Sequence, residues 1–279
     1  MLSFNEALKE AEILLDKHHK ETRIASLLLE DMFQMDRVAL MIRGTEIISD
    51  KALKSYHDAV ERVIADYPYQ YITGLAHFYG RTFKVNSHTL IPRNETEELV
   101  YHVLRKVKSG KIVDIGTGTG AIGLTLKLEN KALDVYVTDI SSDALLVTKQ
   151  NMDALDAKVT ILNGDMLKPL TDKNIKVDVL ISNPPYIAES ETDVMSESTV
   201  KYEPHSALFA EEDGLYFYRH IIEGLESVLN TDGKVFFEIG YKQGEKVKDL
   251  FLSNWPKSKV QVIKDINGQD RIIYAEWVK

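Results

Sequence analysis

The sequence of 279 residues contains no cysteine and no long run of apolar residues. Without cysteine, the chain has no disulfide bonds and no zinc or iron–sulfur site built on cysteine ligands. No segment approaches the roughly 18 consecutive apolar residues that span a membrane, and the first ten residues lack the basic and apolar regions of a signal peptide. We therefore expect a cytoplasmic protein without a membrane partner.

Positive charge is scarce as well, because 34 Lys and Arg residues stand against 43 Asp and Glu residues, for a formal net charge of −9. Proteins that bind nucleic acid through its phosphates rely on clustered Lys and Arg side chains. The charge balance therefore argues against nucleic acid as a direct partner. None of the eight histidines has the spacing of a helical zinc site, and we predict no metal site.

The first seventy residues carry apolar side chains at helical spacing, beginning with Phe4 and Leu8. Ser49 or Asp50 is expected to cap a later helix of this segment. The segment contains apolar stripes that suit a packed core, and it contains no cluster of reactive side chains. We predict that residues 1–73 form a helical domain that recognises the substrate.

Residues 74–90 are richer in aromatic and β-branched side chains, around a turn expected at Gly80-Arg81. This pattern predicts a β-hairpin that links the helical domain to the rest of the chain, residues 91–279.

The pattern in residues 91–279 alternates between strands and helices, which predicts an α/β fold with a mostly parallel sheet covered on both faces. Asn94 is expected to cap the first helix of this domain. The predicted strands are 111–115, 135–139, 158–162, 177–182 and 234–239. Near the C-terminus, Asn267-Gly268 joins two more strands and predicts an antiparallel edge.

A glycine-rich loop follows the first strand of the predicted sheet, where such folds bind nucleotide-like ligands. The loop consists of Gly116, Thr117, Gly118, Thr119 and Gly120. Glycine lets the backbone approach a ligand closely, and the spacing of Gly118, Gly120 and Gly123 also fits the G-x-G-x-x-G pattern. The loop alone therefore does not distinguish a dinucleotide site from an S-adenosylmethionine (SAM) site.

Acidic residues stand near the ends of the first three strands of this domain. Asp139 can accept hydrogen bonds from ribose hydroxyls, although it can also cap the next helix. Asp165 and Met166 offer a polar group and an apolar side chain beside an adenine ring, although an Asn-Gly turn explains the same residues. Asp114 either orients the glycine loop or meets the cationic end of the ligand.

The most specific pattern follows the fourth strand and consists of Asn183, Pro184, Pro185 and Tyr186. Two prolines fix two φ angles, so the carbonyls of Asn183 and Pro184 can accept hydrogen bonds from a planar NH₂ group beside the Asn183 side chain. Tyr186 can cover the flat face of that group. We predict that these four residues bind the substrate and catalyse methyl transfer to its nitrogen; the alternative is a rigid loop without a catalytic role.

Over essentially its full length, the chain resembles the peptide chain release factor glutamine N(5)-methyltransferases of the HemK/PrmC type. The residues that carry the resemblance are Gln70-Tyr71-Ile72-Thr73-Gly74, Leu90-Ile91-Pro92-Arg93 with Thr96-Glu97, Asp114 to Gly120, Asp139, Asn183 to Tyr186, Glu203-Pro204 with Ala207-Leu208, and Asp270-Arg271. The resemblance implies a helical domain followed by a Rossmann-like class I SAM-dependent methyltransferase domain.

The resemblance also implies that SAM is the cofactor and S-adenosyl-L-homocysteine the product. The substrate would be the glutamine of a Gly-Gly-Gln motif in release factors. The glycine loop, Asp139, Met166 and Asn183 would contact SAM. Arg93 and Thr96 would border its site, although a surface ion pair is the alternative for Arg93. Two residues depart from the usual family pattern: Asn94 replaces a proline, and Met166 stands where relatives often have an aromatic residue.

Other functions also fit these residues. A sister enzyme could methylate a glutamine of a ribosomal protein through the same motif. An adenine amino group of DNA or RNA is a planar amine too, although the net charge argues against that substrate. From another class, a SAM-binding module could keep the fold without catalysing transfer.

Overall fold

The computed structural model describes residues 1–188, 190–191 and 195–279. The described chain divides into two compact units. The first contains Met1–Leu75 and Ser196–Tyr202, and the second contains Ala76–Met195 and Glu203–Lys279. None of the helices in these described ranges combines the length and hydropathy needed to cross a bilayer.

The first unit is helical, as the sequence predicts. Its helices are α1 (Phe4–Lys17), α2 (Arg23–Met32), α3 (Arg37–Ile42), α4 (Asp50–Ile64), α5 (Tyr69–Thr73) and α10 (Glu197–Tyr202). Ser3 and Glu6 form a capping box at the start of α1, where each side chain accepts a hydrogen bond from the other's backbone N–H. Ser49 caps α4 by accepting from the N–H of Ala52, which confirms the predicted cap.

Helix α10 is separated from the other helices of this unit by more than a hundred residues of sequence, yet it packs with them. The ring of Tyr202 contacts the ring of Tyr67 edge to face, with centroids 4.8 Å apart. The guanidinium of Arg62 lies 4.2 Å from the Tyr67 ring centroid. Two separate segments of the chain therefore build the first unit.

The predicted hairpin consists of β1 (Leu75–Phe78) and β2 (Arg81–Lys84). Its turn residues are Tyr79 and Gly80, which have φ angles of 50° and 70°. The predicted Gly80-Arg81 turn is wrong by one residue, because Arg81 already belongs to β2.

The hairpin packs as part of the second unit. Phe78 and Phe83 are buried in its core, and the N–H of Lys84 donates a 2.6 Å hydrogen bond to Oδ1 of Asn151. The segment predicted as a linker therefore carries core residues of the second unit. The boundaries 1–73, 74–90 and 91–279 stay a prediction.

Among the described residues, seven strands form the main sheet. These strands are β3 (Gly110–Ile115), β4 (Leu133–Asp139), β5 (Thr160–Asn163), β6 (Val177–Ser182), β7 (Leu229–Glu238), β8 (Lys259–Lys264) and β9 (Asp270–Glu276). Their order is β5-β4-β3-β6-β7-β9-β8; the first five are parallel, and β9 runs antiparallel to β7 and β8. The predicted α/β fold with an antiparallel edge is confirmed.

Helices cover both faces of this sheet. They are α6 (Asn94–Lys106), α7 (Ala121–Glu129), α8 (Ser142–Ala154), α9 (Lys168–Thr171), α11 (Glu211–Gly214), α12 (Tyr216–Val228) and α13 (Gly244–Asn254). Neighbouring strand residues alternate between two hydrophobic cores: Phe237 packs in the core that contains α12, and Phe236 packs in the core that contains α6. Both faces are therefore buried, as parallel sheets require.

Helix α6 begins at Asn94, but Arg93 occupies the N-cap position and no side chain caps the helix. The prediction that Asn94 is the N-cap is therefore wrong. Glu95 and Glu97 lie in the first turn, where negative charge interacts favourably with the helix dipole. These carboxylates take over part of the stabilisation that a cap would supply.

Candidate active site

The glycine loop and the Asn183–Tyr186 segment start side by side. Ile115 at the end of β3 pairs in register with Ser182 at the end of β6, and the Ser182 hydroxyl donates a 2.8 Å hydrogen bond to the Ile115 carbonyl. Strand order reverses at β3, between β4 on one side and β6 on the other. Open α/β sheets bind ligands at this position.

The glycine loop leaves open space on one side. Gly116 and Gly118 have φ angles of 71° and 56°, in the region that glycine adopts readily. A Cβ atom at either position would meet no atom within 4 Å, whereas a Cβ at Gly120 would lie 2.9 Å from Leu124 Cδ1. The first two glycines therefore leave room for a ligand, and Gly120 lets the loop pack on α7.

Asp114 holds the glycine loop in shape. Its Oδ2 accepts hydrogen bonds from the Thr117 hydroxyl at 2.6 Å and from the Gly123 N–H at 3.1 Å. Its Oδ1 is buried and has no hydrogen-bond partner among the described residues. Burial raises the pKa of Asp114 to about 6. The structure thus supports the orienting role, and it leaves one acceptor free.

Asp139 connects the glycine loop with the end of β4. Its Oδ2 accepts from the Gly118 N–H and its Oδ1 from the Ser141 N–H, both at 2.9 Å. The cap of α8 is Ser141, whose hydroxyl accepts from Ala144. The alternative in which Asp139 caps this helix is therefore wrong. Burial raises the pKa of Asp139.

The segment after β5 lies beside the same edge, because the Gly164 N–H donates a 3.0 Å hydrogen bond to the Asp139 carbonyl. Met166 is half-buried against the core and has a φ angle of 40°, which is rare for a bulky residue. Asp165 is exposed. Thr119 is buried, and its carbonyl accepts from the Asn151 side chain at 2.9 Å.

The Asn183–Tyr186 segment is held from its C-terminal end. The Gln243 Nε2 donates a 2.9 Å hydrogen bond to the Tyr186 carbonyl, while the Gln243 Oε1 accepts from Gly240 at 3.0 Å. A Cβ atom at Gly214 would lie 2.1 Å from the same carbonyl. Tyr186 is half-buried, and burial raises its pKa to about 12. The segment is thus fixed by contacts that the sequence did not reveal.

Asn183 is held by its side-chain nitrogen. Its Nδ2 donates a 3.3 Å hydrogen bond to the hydroxyl of Thr96, which is buried in the first turn of α6. The Asn183 Oδ1 has no partner among the residues described. An acceptor is therefore available beside Pro184, which is buried.

Glu238 was missed by the sequence analysis. It ends β7, and its side chain is buried with Oε2 unpaired among the described residues. Burial raises its pKa to about 7. The signal that singled out Asp139, a carboxylate at the end of an apolar strand, also applies to Glu238.

Arg93 forms an ion pair with Glu203, with 2.5 Å between its Nη2 and the carboxylate. The Glu203 side chain is only 2% exposed and also accepts from the Ile91 N–H at 3.1 Å. Arg93 therefore fixes the chain at the start of α6. A direct contact with the cofactor stays a prediction.

The arrangement fits a nucleoside cofactor that carries a positive charge. Open space lies beside Gly116 and Gly118, the Asp139 carboxylate stands at the end of β4, and the buried Asp114 Oδ1 is unpaired. Carboxylates accept hydrogen bonds from hydroxyl and ammonium groups. Within the described ranges, no group of three or more His, Asp or Glu side chains could hold a metal ion.

Two family models match the chain. The model of the PrmC N-terminal domain matches residues 6–74, and the model of the Methyltransferase small domain matches residues 93–207. The crystal structure of a methyltransferase from Pyrococcus furiosus has a TM-score of 0.53 at 18% identity and covers 79% of this chain and 98% of that chain. This likeness concerns the fold alone.

Two relatives that align over almost the whole chain show which family it belongs to. The release factor glutamine methyltransferase of Staphylococcus aureus is 42% identical over 278 residues, which are 99% of this chain and 100% of that protein. The release factor glutamine methyltransferase of Bacillus subtilis is 43% identical over 282 aligned residues, covering 99% of this chain and 98% of that protein. The chain belongs to the family of release factor glutamine methyltransferases and is a SAM-dependent enzyme.

Proposed function

We propose that this protein methylates the side-chain amide nitrogen of the glutamine in the Gly-Gly-Gln motif of peptide chain release factors. The observation that carries the proposal is the state of Asn183. Its nitrogen is bound to Thr96, so its oxygen is free to accept a hydrogen bond from a substrate NH₂ group. The names of the full-length relatives support a release factor as the partner.

Asn183, Pro184, Pro185 and Tyr186 bind the substrate amide and orient it. The Asn183 side-chain oxygen and the carbonyls of Asn183 and Pro184 accept hydrogen bonds from the NH₂ group of this amide. The Tyr186 ring covers the flat face of the amide. An amide nitrogen is a poor nucleophile because its lone pair is delocalised. Holding the nitrogen in one orientation, with acceptors that stabilise growing positive charge, is then the main catalytic contribution.

When SAM is bound, it supplies the methyl group: the nitrogen lone pair forms the new N–C bond, the S–C electron pair returns to sulfur, and one proton leaves nitrogen for solvent. The residues proposed to hold the cofactor are Gly116, Thr117, Gly118, Thr119, Gly120, Asp139, Asp165, Met166, Asn183, Arg93 and Thr96. Asp139 would accept from the ribose hydroxyls. Asp165 is exposed, and the partly buried Met166 would offer an apolar contact to the adenine ring.

The first unit, Met1–Leu75 with Ser196–Tyr202, would recognise the protein partner in the cytoplasm. It contains a packed helical core and none of the side chains assigned to chemistry. The match of residues 6–74 to the PrmC N-terminal domain supports this division of labour.

Incubation with methyl-labelled SAM and separate pools of release factors, ribosomal proteins, DNA and RNA tests the proposed substrate. We expect label on the glutamine of the Gly-Gly-Gln motif, located by mass spectrometry of the digested protein. Label on a ribosomal-protein glutamine, or on adenine, would assign the enzyme to one of the two alternative substrates instead.

A further inference from the structure

The Tyr186 carbonyl lies directly against the backbone of Gly214. A Cβ atom at Gly214 would stand 2.1 Å from the Tyr186 carbonyl oxygen and 2.6 Å from the Gln243 Nε2 that donates to it. The φ angle of Gly214 is 79°, a value that glycine adopts readily and other residues adopt at a cost. Both the available space and the backbone angle therefore require glycine at this position.

The chain reaches Gly214 through two residues in the left-handed conformation. Glu212 has φ and ψ angles of 54° and 48°, and Asp213 has angles of 53° and 37°. Aspartate tolerates this region, whereas glutamate rarely adopts it. The Glu212 carbonyl accepts from the Leu215 N–H at 3.1 Å, and its carboxylate accepts from the Arg219 Nε at 2.7 Å. An unfavourable conformation that is maintained beside a proposed catalytic segment points to a role for this turn.

The Tyr186 ring lies beside a second glycine, Gly240. A Cβ atom there would stand 3.3 Å from Tyr186 Cδ2 and 3.0 Å from Gln243 Oε1. The Gln243 amide connects the two glycines, because its Oε1 accepts from the Gly240 N–H at 3.0 Å and its Nε2 donates to the Gly214 carbonyl at 3.4 Å. Three segments, which precede α12, follow β7 and precede α13, therefore meet around Tyr186.

We propose that Gly214 and Gly240 are positioning residues that fix the Tyr186 ring for methyl transfer. The carbonyl of Tyr186 is held against Gly214 and its ring against Gly240, so neither the backbone nor the ring can shift without the other. The ring then keeps the one orientation in which it covers the flat face of the substrate amide, and the amide stays aligned for attack. This inference rests on the proposed function, in which Tyr186 covers that amide.

The Gly214→Ala variant tests the inference, with SAM and a purified release factor saturating. The added methyl group must displace the Tyr186 carbonyl, and a displacement of about 1 Å should lower kcat on the order of 10- to 100-fold. Calorimetry should find the wild-type Kd for SAM and the wild-type number of SAM sites per chain, because the glycine loop is unchanged.

Gly268→Ala is the matched control for the backbone angle. Gly268 has a φ angle of 78°, and a Cβ atom there would meet no atom within 4 Å. Both alanine variants therefore carry the same conformational cost, and only Gly214→Ala disturbs Tyr186. We expect Gly268→Ala to keep the wild-type kcat.

Two substitutions at Glu212 test the turn without a steric clash at Gly214. Glu212→Val and Glu212→Gly both remove the contact with Arg219, but glycine adopts the left-handed conformation readily and β-branched valine does not. If the turn positions Tyr186, kcat of Glu212→Gly should exceed that of Glu212→Val by about tenfold. This comparison decides the test if Gly214→Ala does not fold.

The outcomes separate the positioning role from the proposed site. Equal kcat in the two Glu212 variants, or wild-type kcat in Gly214→Ala, would overturn the positioning role alone while Asn183→Ala is impaired. A loss of SAM sites in proportion to kcat in Gly214→Ala would also overturn it, because Gly214 would then support folding only. Full activity of Asn183→Ala would overturn the proposed site and the positioning role together.

Discussion

The side-chain amide of Gln243 donates a 2.9 Å hydrogen bond to the backbone carbonyl of Tyr186. Gln243 precedes α13, so a residue almost sixty positions further along the chain fixes the end of the proposed catalytic segment. The contact matters because Gln243 is buried and uses both ends of its amide, accepting from Gly240 and donating to Tyr186. Its effect can be measured directly.

Replacing Gln243 with Leu should lower both stability and kcat. The change leaves the partly buried Tyr186 carbonyl and Gly240 N–H without their partner, which costs on the order of 1–3 kcal/mol. Urea denaturation should show a lower midpoint with an unchanged slope. Gln261 is exposed on β8, and Gln261→Leu is the matched control that should behave as wild type. Equal midpoints for the two variants would contradict the structural role of Gln243.

Asn183→Ala should lower kcat by roughly 10²–10³, by analogy with the loss of one preorganised polar partner of a transition state. Asn183→Asp separates two roles of this side chain. An aspartate keeps two acceptors but cannot donate to Thr96, so we expect it to be impaired as well. Affinity for SAM must be measured beside kcat, because the new charge also repels the SAM carboxylate. Full activity of the alanine variant would mean that Asn183–Tyr186 is a rigid loop without a catalytic role.

Asp139→Ala should weaken SAM binding. The loss of hydrogen bonds to a charged acceptor costs on the order of 1.5–3 kcal/mol, or roughly ten- to more than a hundredfold in Kd. Asp134 lies on the same strand and is exposed, so Asp134→Ala is the matched control. Calorimetry that finds the same Kd for both variants would remove Asp139 from the cofactor site.

Glu238→Gln should make the protein more stable than wild type above pH 7. The pKa of Glu238 is raised from 4.5 to about 7, so the folded state binds its proton more tightly than the unfolded state. Wild-type stability therefore falls as pH rises from about 4.5 to 7. At about 1.4 kcal/mol per pKa unit, the free energy of unfolding of the glutamine variant should exceed that of the wild type by on the order of 3 kcal/mol.

Unfolding midpoints at pH 5 and pH 8 provide the check. The gain should appear at pH 8 and be small at pH 5, where the wild-type side chain is already neutral. Glu223 is exposed on α12, so Glu223→Gln should show no such difference. An equal gain at both pH values would mean that ionisation of Glu238 is not its source.

Removal of residues 1–73 should lower kcat/KM for a release factor and leave the affinity for SAM unchanged. The fragment should also carry Tyr202→Ser, because Tyr202 otherwise loses its contact with Tyr67. The same substitution in the full-length chain is the control for its own effect. Undiminished kcat/KM of the fragment would show that the first unit does not recognise the substrate.

The sequence predicted best where local pattern alone decides the structure. Strand β6 has the predicted bounds, since a continuous apolar run ends at Asn183 and two prolines. The Asn94 cap failed because helix entry is fixed by the pairing of Arg93 with Glu203, a residue far along the chain. Glu238 and Gln243 were not predicted from the sequence for a related reason. Only the packing of the folded chain brings the end of β7 and the start of α13 close to the Asn183–Tyr186 segment.

The two-segment construction of the first unit also affects how the protein is made. At roughly 5–20 residues per second, the ribosome adds Tyr202 on the order of ten seconds after Leu75. During this interval, Tyr67 and the Arg62 guanidinium beside its ring have no contact from α10. A nascent chain therefore exposes an aromatic surface that the finished protein covers, and a chaperone that binds such surfaces would meet it only during synthesis.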